Sequence, residues 1–195
     1  MEKIQIKTAV FVLKKKGIII YPTETSYGIG CKVTDIDSVK RIRRIKGDRK
    51  KPFSIIVADK KMAEKYAEIN SEAEKLIDKL MPGPLTIIVP KKEIISKEVS
   101  EKKIALRISS NQIANLIVEG INEPIISTSA NLSGKKPIYS FEEAVKVFGK
   151  KVDFILDAGK LKEQKPSTIF DVQEKKVVRK GKITEKEIKK ILEKT

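Results

Sequence analysis

Four polar loops carry most of the groups in this sequence that could do chemistry. The first, Tyr21-Pro-Thr-Glu-Thr-Ser-Tyr-Gly-Ile-Gly30, sets Thr23 and Thr25 either side of Glu24. Its glycines let backbone come close to a ligand. The second, Lys46-Gly-Asp-Arg-Lys-Lys-Pro52, holds Lys46 and Arg49 after a basic segment. Arg can fork onto two phosphate oxygens and Lys acts as a point charge. The third, Ser127-Thr-Ser-Ala-Asn-Leu-Ser-Gly134, presents the hydroxyls of Ser127, Ser129 and Ser133 with the Asn131 amide. That set suits a nucleotide or an amino acid, and equally a helix cap followed by a turn. The fourth, Pro166-Ser-Thr168, stands ahead of a strand-like run. Each loop also has a plain structural reading, as a hairpin turn, a solvated charge run or a cap. Arg107, inside the apolar run 104–108, and Arg179, inside 177–181, pose a sharper question. A charged strand residue is rarely buried without a partner, so Arg107 is either edge-exposed or paired with a carboxylate of a ligand.

The residue types that are missing narrow the chemistry further. The 195-residue chain has no His and one Cys. This excludes Ser-His-Asp, Cys-His and His-zinc mechanisms, a Cys-rich zinc site and an internal disulfide framework. Catalysis has to run on Lys, Arg, Ser, Thr, Asp, Glu, backbone amides or a borrowed ion. Cys31 reads as structural, since nothing marks it as activated. Lys and Arg number 42 against 26 Asp and Glu, a net charge of +16. Such an excess favours polyanions or serves solubility. The stretch 40–51 is the densest, with Lys40, Arg41, Arg43, Arg44, Lys46, Arg49, Lys50 and Lys51 against Asp48, and it is expected to bind phosphate. Apolar runs are strand-sized and no signal segment is visible, so a cytoplasmic location without membrane contact is expected.

The elements that must position these loops alternate between helical and strand periodicity. Apolar spacing predicts a helix over 4–16 stopped by Gly17 at C′, a buried strand over 17–21, and a basic helix from Thr34 and Asp35 to Lys46, closed by Gly47. Further helices are predicted over 60–69, from Asn70 and Ser71 to the break at 81–84 with a Ser71/Glu74 capping box, over 111–119 ended by Gly120, from Ser140 to Phe148, and from Thr184 with Glu187 onward. Strands are predicted over 53–58, 85–89, 104–108, 124–127, 154–156, 168–172 and 176–179. About eight strands and six or seven helices, intermixed, imply an α/β fold: an open, twisted, mixed parallel and antiparallel sheet flanked by helices. No repeat or linker divides the chain, so one domain over 1–195 is expected, with 182–195 as a terminal helix.

Taken together, the motifs resemble the YrdC family of threonylcarbamoyl-AMP synthases. The pieces are YPTETSYGIG at 21–30, IKGDRKKPFSII at 45–56, MPGPLTIIV at 81–89, ALRIS at 105–109, STSANLSG at 127–134, PSTIFDV at 166–172 and VVRKGKI at 177–183. They stand in family order and span most of the chain. The resemblance implies a single α/β domain with a cationic concavity, and a reaction in which L-threonine, bicarbonate and ATP give L-threonylcarbamoyl-AMP and pyrophosphate. The product serves the threonylcarbamoyladenosine modification of tRNA beside the anticodon, through a downstream transferase machinery. By resemblance, Thr25, Arg107, Ser127 and Ser167 would hold L-threonine, with Arg107 on its carboxylate. Lys46, Arg49, Ser129, Asn131 and Arg179 would serve ATP, with Lys46 and Arg49 also catalytic; Mg²⁺ would arrive with the ATP, and no protein metal site is implied. The chain departs from the family pattern in placing Arg49 one residue later than the Lys-x-Arg form. It also lacks the His that some members carry after the next strand, and corresponds to the short form without the additional C-terminal domain. Two other readings remain: a non-enzymatic tRNA or double-stranded-RNA-binding protein, and a carbamoyl-adenylate-forming domain related to hydrogenase maturation proteins.

Overall fold

Strand pleat and helix capping assemble the chain into two mixed β-sheets with helices packed around them. The computed structural model describes residues 2–47, 51–132 and 134–193. In chain order these form α1 (Glu2–Lys14), β1 (Ile19–Pro22), β2 (Tyr27–Gly30), α2 (Ile36–Ile45), β3 (Ser54–Ile56), α3 (Lys60–Tyr66), α4 (Ser71–Leu80), β4 (Leu85–Pro90), β5 (Lys103–Arg107), α5 (Gln112–Ile121), β6 (Ile125–Ile126), β7 (Thr128–Ser129), α6 (Phe141–Phe148), β8 (Phe154–Ile155), β9 (Thr168–Asp171), β10 (Lys176–Arg179) and α7 (Glu185–Leu192). The smaller sheet runs β7-β2-β1-β8 and the larger β10-β9-β4-β5-β3-β6. Both sheets combine parallel pairs (β1/β8, β4/β9, β3/β5) with antiparallel ones, strictly alternating in the larger, which is the mixed α/β architecture expected.

Where one sheet was expected, there are two. The chain passes from the larger sheet to the smaller at Ser127, between β6 and β7. Residues 27–30 and 128–129, expected as polar loop, are short strands. Gly28 and Gly30 pair antiparallel with Tyr21 and Ile19, and Gly28 pairs with Ser129 on its other side. A Cβ on Gly30 would stand 2.2 Å from the Ile126 carbonyl oxygen, so only glycine lets the two sheets approach there.

Helix ends follow local hydrogen bonding, with three departures from expectation. Ser140 caps α6 by accepting from the Glu143 amide, and Thr184 with Glu187 forms a reciprocal capping box on α7. For α4 the cap is Asn70, whose side chain accepts from the Ala73 amide, and the Ser71/Glu74 box is not formed. Helix α5 runs through Gly120 to Ile121, and Asn122 takes the left-handed turn at φ 53°. Likewise Lys16, rather than Gly17, takes the left-handed conformation after α1 (φ 61°). Gly17 is needed for contact instead, since a Cβ there would meet the Val12 side chain at 2.5 Å.

The pleat then decides what faces the site. On β5, Ile104 and Leu106 point into the core while Lys103, Ala105 and Arg107 share the opposite face. On β4, Leu85, Ile87 and Val89 are buried in the core, and Thr86 and Ile88 line the other side. The capping assignment for α4 is open to test. Asn70→Ala is expected to lower stability by about 1 kcal/mol, and Ser71→Ala by no more than a few tenths, in chemical denaturation.

Candidate functional site

The cleft faces of the two sheets border an open-sided cavity of about 1470 Å³. The β1–β2 turn and the Ser127 crossover wall one side. Strands β4, β5, β9 and β10 wall the other. Six of the residues assigned by sequence line it: Thr25, Arg107, Ser127, Ser129, Ser167 and Arg179.

The turn is locked by its own hydroxyls. Thr23 Oγ1 donates to the Ser26 carbonyl (2.7 Å) and accepts from the amides of Thr25 and Ser26 (3.3 Å each). The Thr25 hydroxyl lies 3.1 Å from that of Thr23. This small ring of bonds projects Glu24 from the turn tip toward the end of β5. There Arg107 Nη1 donates to Glu24 Oε1, and the Ser109 hydroxyl donates to Glu24 Oε2, both at 2.5 Å. Ser109 is held in turn: its hydroxyl accepts from the Asn111 amide (3.1 Å) and its carbonyl from Asn115 Nδ2 (2.7 Å). Arg107 is therefore neither edge-exposed nor waiting unpaired. Its carboxylate partner is the chain's own Glu24, with side-chain exposures of 9% and 14%.

Ser127 sits at the crossover between the sheets. Its amide donates to the Ser54 carbonyl (2.7 Å), and the Ser54 hydroxyl donates back to the Ser127 carbonyl. Beside it lies the Tyr21 phenol, fully buried and with no hydrogen-bond partner among the described residues. Burial drives the phenol's pKa far above its ordinary value, against the smaller opposing pull of Ser127 and Arg107. It stays neutral.

Across the cleft, Arg179 Nε and Nη2 both donate to the Ser167 carbonyl (3.0 and 2.8 Å), and Nη2 also to the Ser167 hydroxyl (2.8 Å). That hydroxyl lies 3.0 Å from Thr86 Oγ1. Burial lowers the Arg179 pKa, and the charge of Arg107 lowers it further, so the two guanidiniums share one electrostatic space.

Lys46 and Asn131 lie off the cavity wall. The Lys46 ammonium, 1% exposed, donates to the carbonyls of Ser129 (2.7 Å) and Asn131 (2.8 Å) and to Asn131 Oδ1 (3.2 Å). Ser129 Oγ donates to the same Oδ1 (2.6 Å), and Asn131 Nδ2 bonds the carbonyls of Leu132 and Lys135. Lys46 thus cages the third loop. The basic stretch is likewise partly internal. Arg41 pairs with Asp153, and Arg43 donates to the Glu98 carbonyl while stacking over Phe53 at 4.9 Å. Arg49 lies outside the described residues. Glu24, Ser109, Ser54 and Thr86 were not assigned by sequence. Only Glu24 carried a signal, as the one acid in a hydroxyl-rich loop.

A family model for Sua5, YciO and YrdC, described as "Telomere recombination", matches residues 11–181. The chain belongs to the Sua5/YciO/YrdC family. A relative from Methanocaldococcus jannaschii, named putative threonylcarbamoyl-AMP synthase, is 42% identical over 162 residues, 83% of this chain and 77% of that protein. Escherichia coli YciO is 35% identical over 186 residues, 90% and 88% of the two chains. The crystal structure of Pyrococcus abyssi Sua5 complexed with L-threonine superposes with a TM-score of 0.91 at 32% identity. It covers 96% of this chain, which spans 57% of the Sua5 chain. This family member accordingly shares the Sua5/YciO fold over nearly its whole length. Among its described residues, no helix is long and apolar enough to cross a membrane.

The Lys46 cage predicts a stability effect. Lys46→Met keeps the length of the side chain but strands the carbonyls of Ser129 and Asn131, and is expected to cost roughly 3 kcal/mol in equilibrium unfolding.

Proposed function

We propose that the chain is an L-threonylcarbamoyladenylate synthase, a nucleotidyltransferase that converts L-threonine, bicarbonate and ATP to L-threonylcarbamoyl-AMP and pyrophosphate. The observation that carries the reading is the common cavity of Arg107, Thr25 and Ser127 on one side and Arg179 with Ser167 on the other. It offers a guanidinium and hydroxyls for an amino acid, and a second guanidinium for a polyphosphate, within one enclosure. The named relatives and the L-threonine complex of Sua5 support the same assignment.

The chemistry suits a site without imidazole. The neutral amine of threonine and bicarbonate give the N-carboxylate and water. A carboxylate oxygen of that carbamate then attacks the α-phosphorus of ATP, and pyrophosphate leaves. Threonine that enters as the zwitterion first gives its ammonium proton to solvent; neither step then needs a strong protein base. What the enclosure supplies is positioning and compensation of phosphate charge. Arg107 would orient the threonine carboxylate, with Thr25, Ser127 and Ser167 as hydroxyl partners. Arg179 and Ser129 would face the nucleotide. Lys46 and Asn131 act on it through the shape of the third loop, which they hold. Arg49 belongs to the same nucleotide group by motif.

No group of three or more His, Cys, Asp or Glu side chains able to hold a metal occurs among the described residues. Mg²⁺ would come with the triphosphate, held mostly by phosphate oxygens and water, and would offset charge on the departing pyrophosphate. The product would pass to a transferase that modifies the tRNA adenosine beside the anticodon.

Pyrophosphate release from ATP that requires both L-threonine and bicarbonate tests the reading directly; release independent of threonine would overturn it. Arg107→Ala is expected to raise the threonine KM about 10–100-fold while moving the ATP KM little. Serine, which lacks only a methyl group, is expected to be disfavoured about 10–200-fold in kcat/KM.

A further inference from the structure

We propose that Glu24 is the specificity residue for the substrate's α-ammonium, and that the Glu24–Arg107 pair is a receptor opened by a zwitterion charge for charge. The proposal rests on the synthase reading of the cavity. The geometry leads there in three steps. First, the pair is nearly buried, and both oxygens of Glu24 are occupied, one by Arg107 and one by Ser109. Of the Arg107 donors, only Nη1 has a hydrogen-bond partner among the described residues. The remaining donors of the guanidinium can meet an incoming carboxylate first, and Nη1 then leaves Glu24 to complete that contact.

Second, burial limits what can enter. Removing one member of a buried ion pair leaves the other uncompensated and is strongly unfavourable. A phosphate or simple carboxylate that took Arg107 would strand Glu24 beside a second anion. An amine alone would strand Arg107. An α-amino acid brings both signs on adjacent atoms: its carboxylate replaces Glu24 at Arg107, and its ammonium replaces Arg107 at Glu24. This keeps the net charge of the corner unchanged. It also directs the triphosphate elsewhere, to the Arg179 side of the cavity, where no acidic side chain among the described residues bonds the guanidinium.

Third, Glu24 is built to stay in place when Arg107 turns to the ligand. Ser109, fixed by two bonds at the start of α5, holds Oε2, and the Thr23 hydroxyl ring holds the backbone of the turn. In the unliganded arrangement Arg107 lies on the cavity wall and Glu24 behind it; once Arg107 turns, the freed Oε1 is left as the acceptor for the ammonium.

The test uses the full chain and two probes, L-threonine and its 2-hydroxy analogue, which keeps the carboxylate and side chain but replaces the ammonium by a hydroxyl. In isothermal titration the wild type is expected to bind L-threonine about tenfold or more tightly than the analogue. Glu24→Gln, which keeps shape and an acceptor oxygen but no charge, is expected to bring the two affinities within about twofold, chiefly by weakening L-threonine. A merely structural role would weaken both ligands alike, and that outcome overturns the proposal. So does a preference that survives Glu24→Gln. The wild type is informative even if the variant does not fold: L-threonine bound without preference for its ammonium overturns the proposal and leaves the synthase reading standing. A wild type that binds neither probe, with or without ATP, overturns both.

Discussion

A guanidinium on the inner face of β5 cannot be left without a counter-charge. Arg107 is 7% exposed as a residue, too buried for water to compensate it. Much of the surrounding structure answers that requirement. The β1–β2 turn is stiffened by the Thr23 hydroxyl so that Glu24 reaches across from the smaller sheet. The start of α5 is anchored so that Ser109 can hold the far oxygen. One ion pair therefore ties the end of β5 to the hairpin of the other sheet, and the cavity opens beside it. Structural constraint and ligand chemistry meet at the same two side chains.

The charge excess of the chain divides by the same criterion. A cation with internal acceptors organises backbone; a cation facing the cavity is available to anions. Lys46 belongs to the first kind, with its ammonium held among the carbonyls of the third loop. Arg41 and Arg43 also have protein partners, a carboxylate, a carbonyl and an aromatic face. Lys103, on the cleft face of β5, is balanced by Asp171 and Glu174. Arg179 differs, because its hydrogen-bond partners among the described residues, all at Ser167, are neutral. A net +16 thus overstates how much positive charge the cavity offers and says nothing of where it is concentrated.

Such a site suits transfer to phosphorus better than hydrolysis of a carbonyl. Its resources are fixed charges, small hydroxyls and enclosure, and the phenol of Tyr21 beside it is held neutral by burial. Reactions limited by positioning and by charge on phosphate draw on those resources. Reactions that need a base poised near neutral pH would not find an imidazole anywhere in the chain.

Local physics made the elements legible. Capping depends on residues three apart, so Ser140 and the Thr184/Glu187 box could be read directly, and strand parity placed β4, β5, β9 and β10 correctly. Short-range competition accounts for the misplaced stops at Gly17 and Gly120, where Lys16 and Asn122 bear the left-handed turn. The loops that line the cavity were likewise visible as clusters of hydroxyls and cations. The partners of the two most telling charges were not. Glu24 and Arg107 are 83 residues apart, and Lys46 lies 83 and 85 residues from the carbonyls it holds. Sequence alone determined which side chains could be charged, hydroxylic or apolar, and the periodicity of the segments that carry them. Which charge meets which partner, and therefore which remain for a ligand, was decided only when the chain crossed between its two sheets at Ser127, because burial and pairing are properties of contacts that no local spacing encodes.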